Sequence, residues 1–213
     1  MRFILFVEGD TEREVLPALL KRAVEPELGK AVRVQPVNFH GWANLWRDVR
    51  QKADFYLRGP GHSPEVIAVV SILDLYGPDI YPDRLKTTRE RMEWAKAEVE
   101  KEIAHPRFRQ FFAVHELEAW LLAQPEIFPP ELRKDIHALS SKPEEVNFNR
   151  PPKRQLNALY EQRLKRGYLP RVDGAKLFRL VNPEIIRSKC PLFREMTAEL
   201  IRLVSNPGGK AGE

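Results

Sequence analysis

The stretch RFILFVEGDTE, residues 2–12, decides the fold. Residues 2–7 are mostly apolar strand formers in a run too short to be a helix, and the apolar residues that follow at 15, 19 and 20 have helical spacing. Four acids lie in or just after this junction: Glu8, Asp10, Glu12 and Glu14. Acids near a helix start interact favourably with the helix dipole, so the junction is either an ordinary capped one or part of a metal site.

Alternating strand and helix patterns continue to about residue 124. We predict further strands over 32–39, 66–73 and 108–114, and helices over 42–57, 84–104 and 116–123. Pro36 favours an edge position for the second strand. Thr11 and Glu14 have the spacing of a capping box. This alternation predicts an α/β fold with a largely parallel central sheet flanked by helices.

The composition of the sequence changes near residue 125, where prolines cluster and the predicted helices become short. We therefore predict three parts: an α/β domain over 1–124, a Pro-rich basic helical subdomain packed on it over 125–205, and a disordered tail over 206–213. Residues 150–213 hold 14 basic and 6 acidic residues, although the net charge of the whole chain is only +5. A basic segment beside an acidic one is typical of a protein that binds both a cation and a polyanion. The alternative is that the basic residues only form a solvated surface.

Composition indicates a cytoplasmic protein. The single cysteine, Cys190, permits no internal disulfide and is expected to be a buried apolar residue rather than a nucleophile. No apolar run approaches the ~20 residues of a membrane helix. The apolar start of the chain is also too short for a secretory signal.

Acids follow three of the predicted strands: Glu8, Asp74, and the pair Glu116 and Glu118. Parallel strands bring such residues to one edge of the sheet, where ligands bind in α/β folds. Clustered carboxylates repel one another unless a cation neutralises them, and an oxygen-only ligand set favours Mg²⁺, Mn²⁺ or Ca²⁺ over zinc. Each acid alone also has an ordinary structural explanation, as a helix-start or turn residue.

The motifs VEGDTE, SILDLYG, VHELEAWLL, PPKRQL and IRSKCPLF, in this order, resemble a Toprim-like family called domain of unknown function 4276. The first strand with its glutamate and the later acids also resemble the Toprim fold of topoisomerases, primases and overcoming-lysogenization-defect (OLD) nucleases. The resemblance covers about residues 2–204. It implies a Toprim-like fold, a Mg²⁺- or Mn²⁺-dependent site and nuclease activity, with functions in phage defence or genome maintenance.

The resemblance also implies roles for single residues. Glu8 matches the glutamate that acts as general acid or base, and Asp74 matches the first acid of a D-x-D pair. Tyr76 stands where the second acid is expected, and the nearest later acid, Asp79, is the candidate metal ligand in its place. The remaining implied metal ligands are Glu12, Glu116 and Glu118.

Three basic residues in the matching motifs are our candidates for nucleic-acid binding: Lys153, Arg154 and Arg187. His115 adjoins the acids and is a candidate for proton transfer, although a packed or surface histidine is the alternative. The sequence has no GxxxxGK[ST] loop, so any ATP use would come from an ATPase partner.

These features together predict a Mg²⁺-dependent nuclease that hydrolyses phosphodiester bonds in nucleic acid. A second interpretation is a catalytically degenerate Toprim module that binds nucleic acid or an ATPase partner. A third keeps metal-dependent phosphoryl chemistry but moves it to a nucleotide-sized substrate.

Overall fold

The protein is represented by a computed structural model that describes residues 1–75, 77–113, 116–145 and 151–206. Four strands form one sheet in the order β2-β1-β3-β4, and every neighbouring pair is parallel. The strands are β1 Arg2–Val7, β2 Arg33–Asn38, β3 Val66–Asp74 and β4 Phe108–Ala113. The predicted parallel sheet is confirmed, and the strand containing Pro36 lies at an edge.

Helices connect the strands and then follow the last one. They are α1 Asp10–Leu28, α2 Trp42–Leu57, α3 Thr88–Ile103, α4 Glu118–Leu122, α5 Pro130–His137, α6 Pro152–Leu164, α7 Ala175–Leu180, α8 Pro183–Lys189 and α9 Pro191–Ser205. Short 3₁₀ turns occupy Pro125–Ile127 and Pro143–Glu145, and one π-helical turn occupies Pro170–Gly174. The α/β class, with helices flanking a parallel sheet, is confirmed.

Alternation along the strands divides the core into two layers. Phe3, Leu5 and Val7 of β1 pack on one face with α1 and with helices from the C-terminal third of the chain. Ile4 and Phe6 pack on the other face with α2 and α3. Both faces are covered, as expected for strands that are apolar on both sides.

The C-terminal helices share the first of these core layers with α1 and the sheet. Phe178, Ile186 and Leu200 belong to the same buried cluster as Leu5. Cys190 is fully buried there, as predicted, and burial raises the pKa of its thiol. No helix in the described part of the chain is both long and apolar enough to cross a membrane.

The positions at which helices begin differ from those predicted from the sequence. No capping box forms at Thr11: α1 begins at Asp10 after Gly9, whose extended backbone ends the strand, and no side chain caps this helix. A capping box forms instead at Thr87, so α3 begins four residues later than predicted. The helix predicted over 116–123 is shorter, because it begins at Glu118.

Candidate functional site

The parallel sheet gathers the predicted acids at its carboxyl edge. Glu8 directly follows β1, Asp74 is the last residue of β3, and Glu118 is the first residue of the helix after β4. The first two are in direct contact, since the backbone N–H of Asp74 donates a hydrogen bond of 2.5 Å to Glu8 Oε1. The clustering of acids predicted from strand ends is therefore present in the fold.

These three carboxylates are held in surroundings that disfavour their charge. Burial and, to a smaller extent, Glu12 raise the pKa of Glu8, whereas the Asp74 N–H and Lys153 lower it, and the resulting pKa is about 7. Burial likewise raises the pKa of Glu118 to about 7, although Lys153 opposes the shift. The pKa of Asp74 is raised by burial and then by Glu8, Glu12 and Glu118. A carboxylate cluster of this kind would be relieved by a cation.

One cation already lies in the cluster. Lys153 is the second residue of α6, and its backbone N–H donates a hydrogen bond of 2.7 Å to Glu116 Oε2. Its ammonium Nζ lies 3.4 Å from Glu116 Oε1 and 3.9 Å from Glu118 Oε2. The two glutamates are buried, with 8% and 3% of their surfaces exposed. The carboxylates therefore surround both the N-terminus of α6 and the side chain of its lysine.

The charge of Lys153 is stabilised by this arrangement. Burial alone would lower the pKa of the ammonium, but Glu118, Glu116, Asp74 and Glu12 together raise it above its ordinary value. Lys153 was predicted as a nucleic-acid contact, and its position among the acids was not foreseen. A phosphate group that reached this lysine would lie next to the carboxylates.

The ligand chemistry of the cluster suits a hard divalent cation, because every donor is a carboxylate oxygen. Within residues 1–75, 77–113, 116–145 and 151–206, however, no three His, Cys, Asp or Glu side chains are arranged so that they could hold one metal ion. The ammonium of Lys153 lies among the carboxylates instead. Metal binding here would require these side chains to rotate toward a common point.

Two further predicted ligands differ in position. Glu12, on the first turn of α1, folds back over the backbone of Gly9, since a Cβ added to that glycine would lie 2.9 Å from Glu12 Oε2. It also contributes to the raised pKa values of Glu8 and Asp74. Asp79 is exposed in the loop after β3, and it contributes to neither shift. The structure thus groups Glu12, but not Asp79, electrostatically with the cluster.

His115 and Tyr76 lie outside the described residues, so the prediction of proton transfer by His115 remains a prediction. Of the other two basic candidates, Arg154 is exposed on α6 next to Lys153. Its role in nucleic-acid binding remains a prediction.

Arg187 has a different environment. Its guanidinium, with 12% of the side chain exposed, donates to the Ala23 carbonyl at 2.8 Å and to Thr197 Oγ1 at 3.1 Å, and it pairs with Glu27. These contacts fasten α8 to the last turns of α1, roughly 20–25 Å along the helix axis from Asp10. The side chain is engaged in packing, and we leave it out of the proposed nucleic-acid interface.

Sequence reasoning missed Tyr168. Burial and the nearby Glu118 carboxylate raise the pKa of its hydroxyl, which has no hydrogen bond of standard geometry within the described part of the chain. Gly174 packs against the same hydroxyl, because a Cβ there would lie 2.6 Å from it. A tyrosine fifty residues from the glutamate, in a segment without a recognised motif, carries no signal that links it to the cluster.

The fold and the site together define an α/β protein with an acidic site at the carboxyl edge of a parallel sheet. The family model described as Domain of unknown function (DUF4276) matches residues 7–201, and the chain belongs to this family. The resemblance stated from the sequence motifs is thereby confirmed.

Solved structures with a similar arrangement include the C-terminal region of the Burkholderia pseudomallei OLD protein. It is 19% identical, with a TM-score of 0.45, over 92% of this chain and 98% of that chain. The C-terminal region of the Xanthomonas campestris pv. campestris OLD protein is 18% identical, with a TM-score of 0.41, over 94% and 95% of the two chains. A search among curated protein sequences found no match.

Proposed function

We propose that this protein is a metal-dependent nuclease that hydrolyses phosphodiester bonds in nucleic acid at the carboxyl edge of its sheet. The observation that carries the proposal is the grouping of Glu8, Asp74 and Glu118, which come from three separate elements and have raised pKa values; Glu118 is buried and the other two are partly buried. Buried acids of this kind gain most from a divalent cation. The motifs around them support Mg²⁺ or Mn²⁺ as that cation.

The proposed metal would be held by Glu8, Asp74 and Glu118, with Glu12 and Glu116 in support. When bound, it would supply charge neutralisation on a phosphate and a more acidic water. The chain itself contributes Lys153, whose ammonium is placed to bind a phosphate oxygen beside the acids. Glu8 adjoins the same site and is the chain's candidate for accepting or donating the proton; its pKa is about 7 without metal, and a bound cation would lower it.

The alternative is a catalytically degenerate module that binds nucleic acid or a protein partner. Two observations favour it. Tyr76 replaces the second acid of the D-x-D pair, and the ammonium of Lys153 lies among the carboxylates. In this case the lysine would be the permanent counter-ion of the cluster.

Metal titration combined with a cleavage assay separates these functions. Purified protein should bind Mn²⁺ by calorimetry and cleave labelled oligonucleotides in Mg²⁺ or Mn²⁺. Asp74→Asn and Glu8→Gln should each lower the cleavage rate by about 100-fold or more. Asp79→Asn, which removes an exposed acid from the loop that follows Asp74, is the matched control and should remain active.

The outcomes are distinct. Cleavage that survives in both Asp74→Asn and Glu8→Gln contradicts the assignment of the site. Nucleic-acid binding without any Mn²⁺ binding establishes the degenerate module instead. Cleavage of mononucleotides in preference to oligonucleotides would assign the site to small substrates.

A role in phage defence or genome maintenance, beside an ATPase partner in the cytoplasm, is part of the same proposal. It rests on the family motifs and on the lack of a GxxxxGK[ST] loop in this chain. Affinity purification of the tagged protein from its own host, followed by assay of the bound fraction for ATP hydrolysis, tests it. A bound fraction without ATPase activity would count against the partner.

A further inference from the structure

One short segment presents an unusual surface. Leu169, Val172 and Leu180 are 55%, 64% and 55% exposed, and in the described part of the chain only Met1 and Phe55 are comparable large apolar residues. Basic side chains alternate with them. The exposed residues of segment 169–180, which we call the ridge, are Leu169, Arg171, Val172, Lys176, Arg179 and Leu180.

The ridge is one continuous helical surface, and the segment that forms it presents no unpaired carboxylate. The π-helical turn Pro170–Gly174 continues into α7, and residues 172, 176 and 180, spaced by four, lie along one helix face. The segment's one acid, Asp173, is engaged by Arg166 at 2.7 Å and by the Leu169 N–H at 2.9 Å. The exposed side chains of the ridge itself are therefore apolar or basic, and two of the basic ones, Arg171 and Arg179, pair with acids of α1.

The ridge is fastened beside the acidic cluster. Tyr168, which directly precedes it, lies next to Glu118. Arg171 lies 3.7 Å from Asp10, and Arg179 lies 3.2 Å from Glu14, both on the first turns of α1 after Glu8. A ligand at the Leu169 end of the ridge would thus lie close to the carboxyl edge of the sheet, whereas the Leu180 end lies further along α1, beside Arg22.

The end of the ridge is held rigidly. Arg22 of α1 donates to the carbonyl oxygens of Phe178 at 2.5 Å and Val181 at 2.8 Å, at the end of α7. Gly174 packs on the Tyr168 hydroxyl. Exposed leucines on a fixed helix, rather than on a loose loop, indicate a preformed contact surface.

We infer that the ridge is the docking surface for the substrate nucleic acid and that it favours sites where bases are unstacked. The basic residues would bind phosphates, whereas Leu169, Val172 and Leu180 gain nothing from phosphates and would contact base faces. Base faces are accessible at single strands, forked ends and flexible steps, but not inside a regular duplex. This inference rests on the proposed function, because it places the same nucleic acid against the same site.

Binding measured in EDTA tests the inference without requiring catalysis. Labelled single strands, forked duplexes and intact duplexes of equal length are compared by fluorescence anisotropy. The triple variant Leu169→Ser, Val172→Thr, Leu180→Ser should bind single strands and forks about tenfold more weakly than wild type, with a smaller change for intact duplex. Phe55→Ser, which changes an exposed apolar residue on α2, is the matched control and should bind as wild type.

The basic residues are tested by salt dependence. Replacement of Arg171, Lys176 and Arg179 by Gln should reduce the slope of log affinity against log salt by about two. Arg47→Gln removes an exposed charge from α2 and should leave the slope unchanged. Thermal melts establish that each variant is folded, as expected for exposed ion pairs that contribute little to stability.

Several results would overturn the inference. Wild-type affinity of the apolar triple variant for forks and single strands contradicts it. The inference is also contradicted if the triple variant binds nucleic acid as wild type does but no longer binds vesicles of anionic lipid, because the ridge would then be a membrane-binding surface. If the ridge variants lose binding but the wild-type protein never cleaves, the proposed metal-dependent nuclease activity is refuted and the ridge proposal is not. If the wild-type protein cleaves but the ridge variants bind as wild type does, only the ridge proposal is refuted.

Discussion

Two partly buried ionic clusters in this protein contain glutamates and basic residues, with opposite effects on the glutamate pKa values. On one side of β4, Glu199 accepts from Arg109 Nε at 2.6 Å and from Arg202 Nε at 2.6 Å. Burial opposes the charge of Glu199, but hydrogen bonds from Arg202 and Arg109 lower its pKa overall. At the carboxyl edge, Glu8 and Glu118 have pKa values raised to about 7.

The difference lies in the balance of charge. Two guanidinium groups neutralise Glu199, whereas the single ammonium of Lys153 faces Glu116, Glu118, Asp74 and Glu12. The first cluster has no excess of negative charge, and its ion pairs hold α9 against the sheet. The second has an excess of negative charge, which is a destabilising arrangement unless a ligand compensates for it. Departures of this kind are typical of functional sites.

The largest expected effect breaks the balanced cluster. Arg109→Leu removes a guanidinium that is 8% exposed and leaves Glu199 with one partner fewer, which should cost about 3 kcal/mol in the free energy of unfolding. Urea denaturation measures it. Arg89→Leu, at an exposed ion pair on α3, should change the stability by less than about 1 kcal/mol. Equal effects of the two substitutions would contradict the structural role assigned to the cluster.

A smaller effect is expected from pH at the unbalanced cluster. The folded pKa values of Glu8 and Glu118 are raised from 4.5 to about 7, so the native state keeps protons that the unfolded chain releases. Their contribution to stability is therefore complete below pH 4.5 and is lost as the pH rises through 7. Stability should decrease from pH 5 to pH 8.

Glu118→Gln sharpens that test. The variant cannot ionise, so it should be more stable than wild type by about 2 kcal/mol at pH 8 and nearly equal at pH 5. Glu98→Gln, at an exposed position on α3, should show the same pH profile as wild type. A variant that is less stable at pH 8 would mean that the ion pair with Lys153 outweighs the burial of Glu118.

Removal of the lysine should increase the excess of negative charge. Lys153→Met removes the ammonium group that lies among the carboxylates, so Mn²⁺ should bind about tenfold more tightly by calorimetry. Lys134→Met, at an exposed position on α5, is the control for net charge and should not change the affinity. Weaker Mn²⁺ binding by Lys153→Met would show that the lysine does not compete with a cation.

The smallest effect is expected at Gly9. Its φ of −144° is accessible to alanine, and the added Cβ would meet only the flexible end of Glu12. Gly9→Ala should therefore change the stability by less than about 1 kcal/mol while it displaces Glu12. Mn²⁺ affinity should decrease as much as in Glu12→Gln. Unchanged affinity in both variants would remove Glu12 from the set of ligands.

The sheet and the grouping of acids could be predicted because they follow from short-range patterns. An apolar run identifies each strand, and parallel pairing brings Glu8 and Asp74 to one edge. Helix starts were less predictable, since Thr11 and Thr87 both precede a glutamate by three residues and only the second forms a cap. The backbone around Gly9, not the side-chain spacing, decides where α1 begins.

The remainder of the site depends on long-range packing. Lys153 reaches Glu116 from 37 positions further along the chain, and Arg187 reaches Ala23 from 164 positions away. Both are basic residues in motifs of similar appearance, yet one lies in the acidic cluster and the other is a packing residue. No periodicity in the sequence distinguishes them, because the difference is produced only when α6 and α8 dock.

The central position of β1 has a consequence for synthesis of the chain. Phe3 and Leu5 line one small cavity with Leu200, so the first strand is fully enclosed only after α9 has been made. At translation rates of about 5–20 residues per second, roughly 10–40 s separate these residues on the ribosome. During this interval the face of β1 that carries Phe3 and Leu5 has the contacts of α1 but lacks those of the C-terminal helices. This core layer is therefore expected to be completed late, only after α9 has been made.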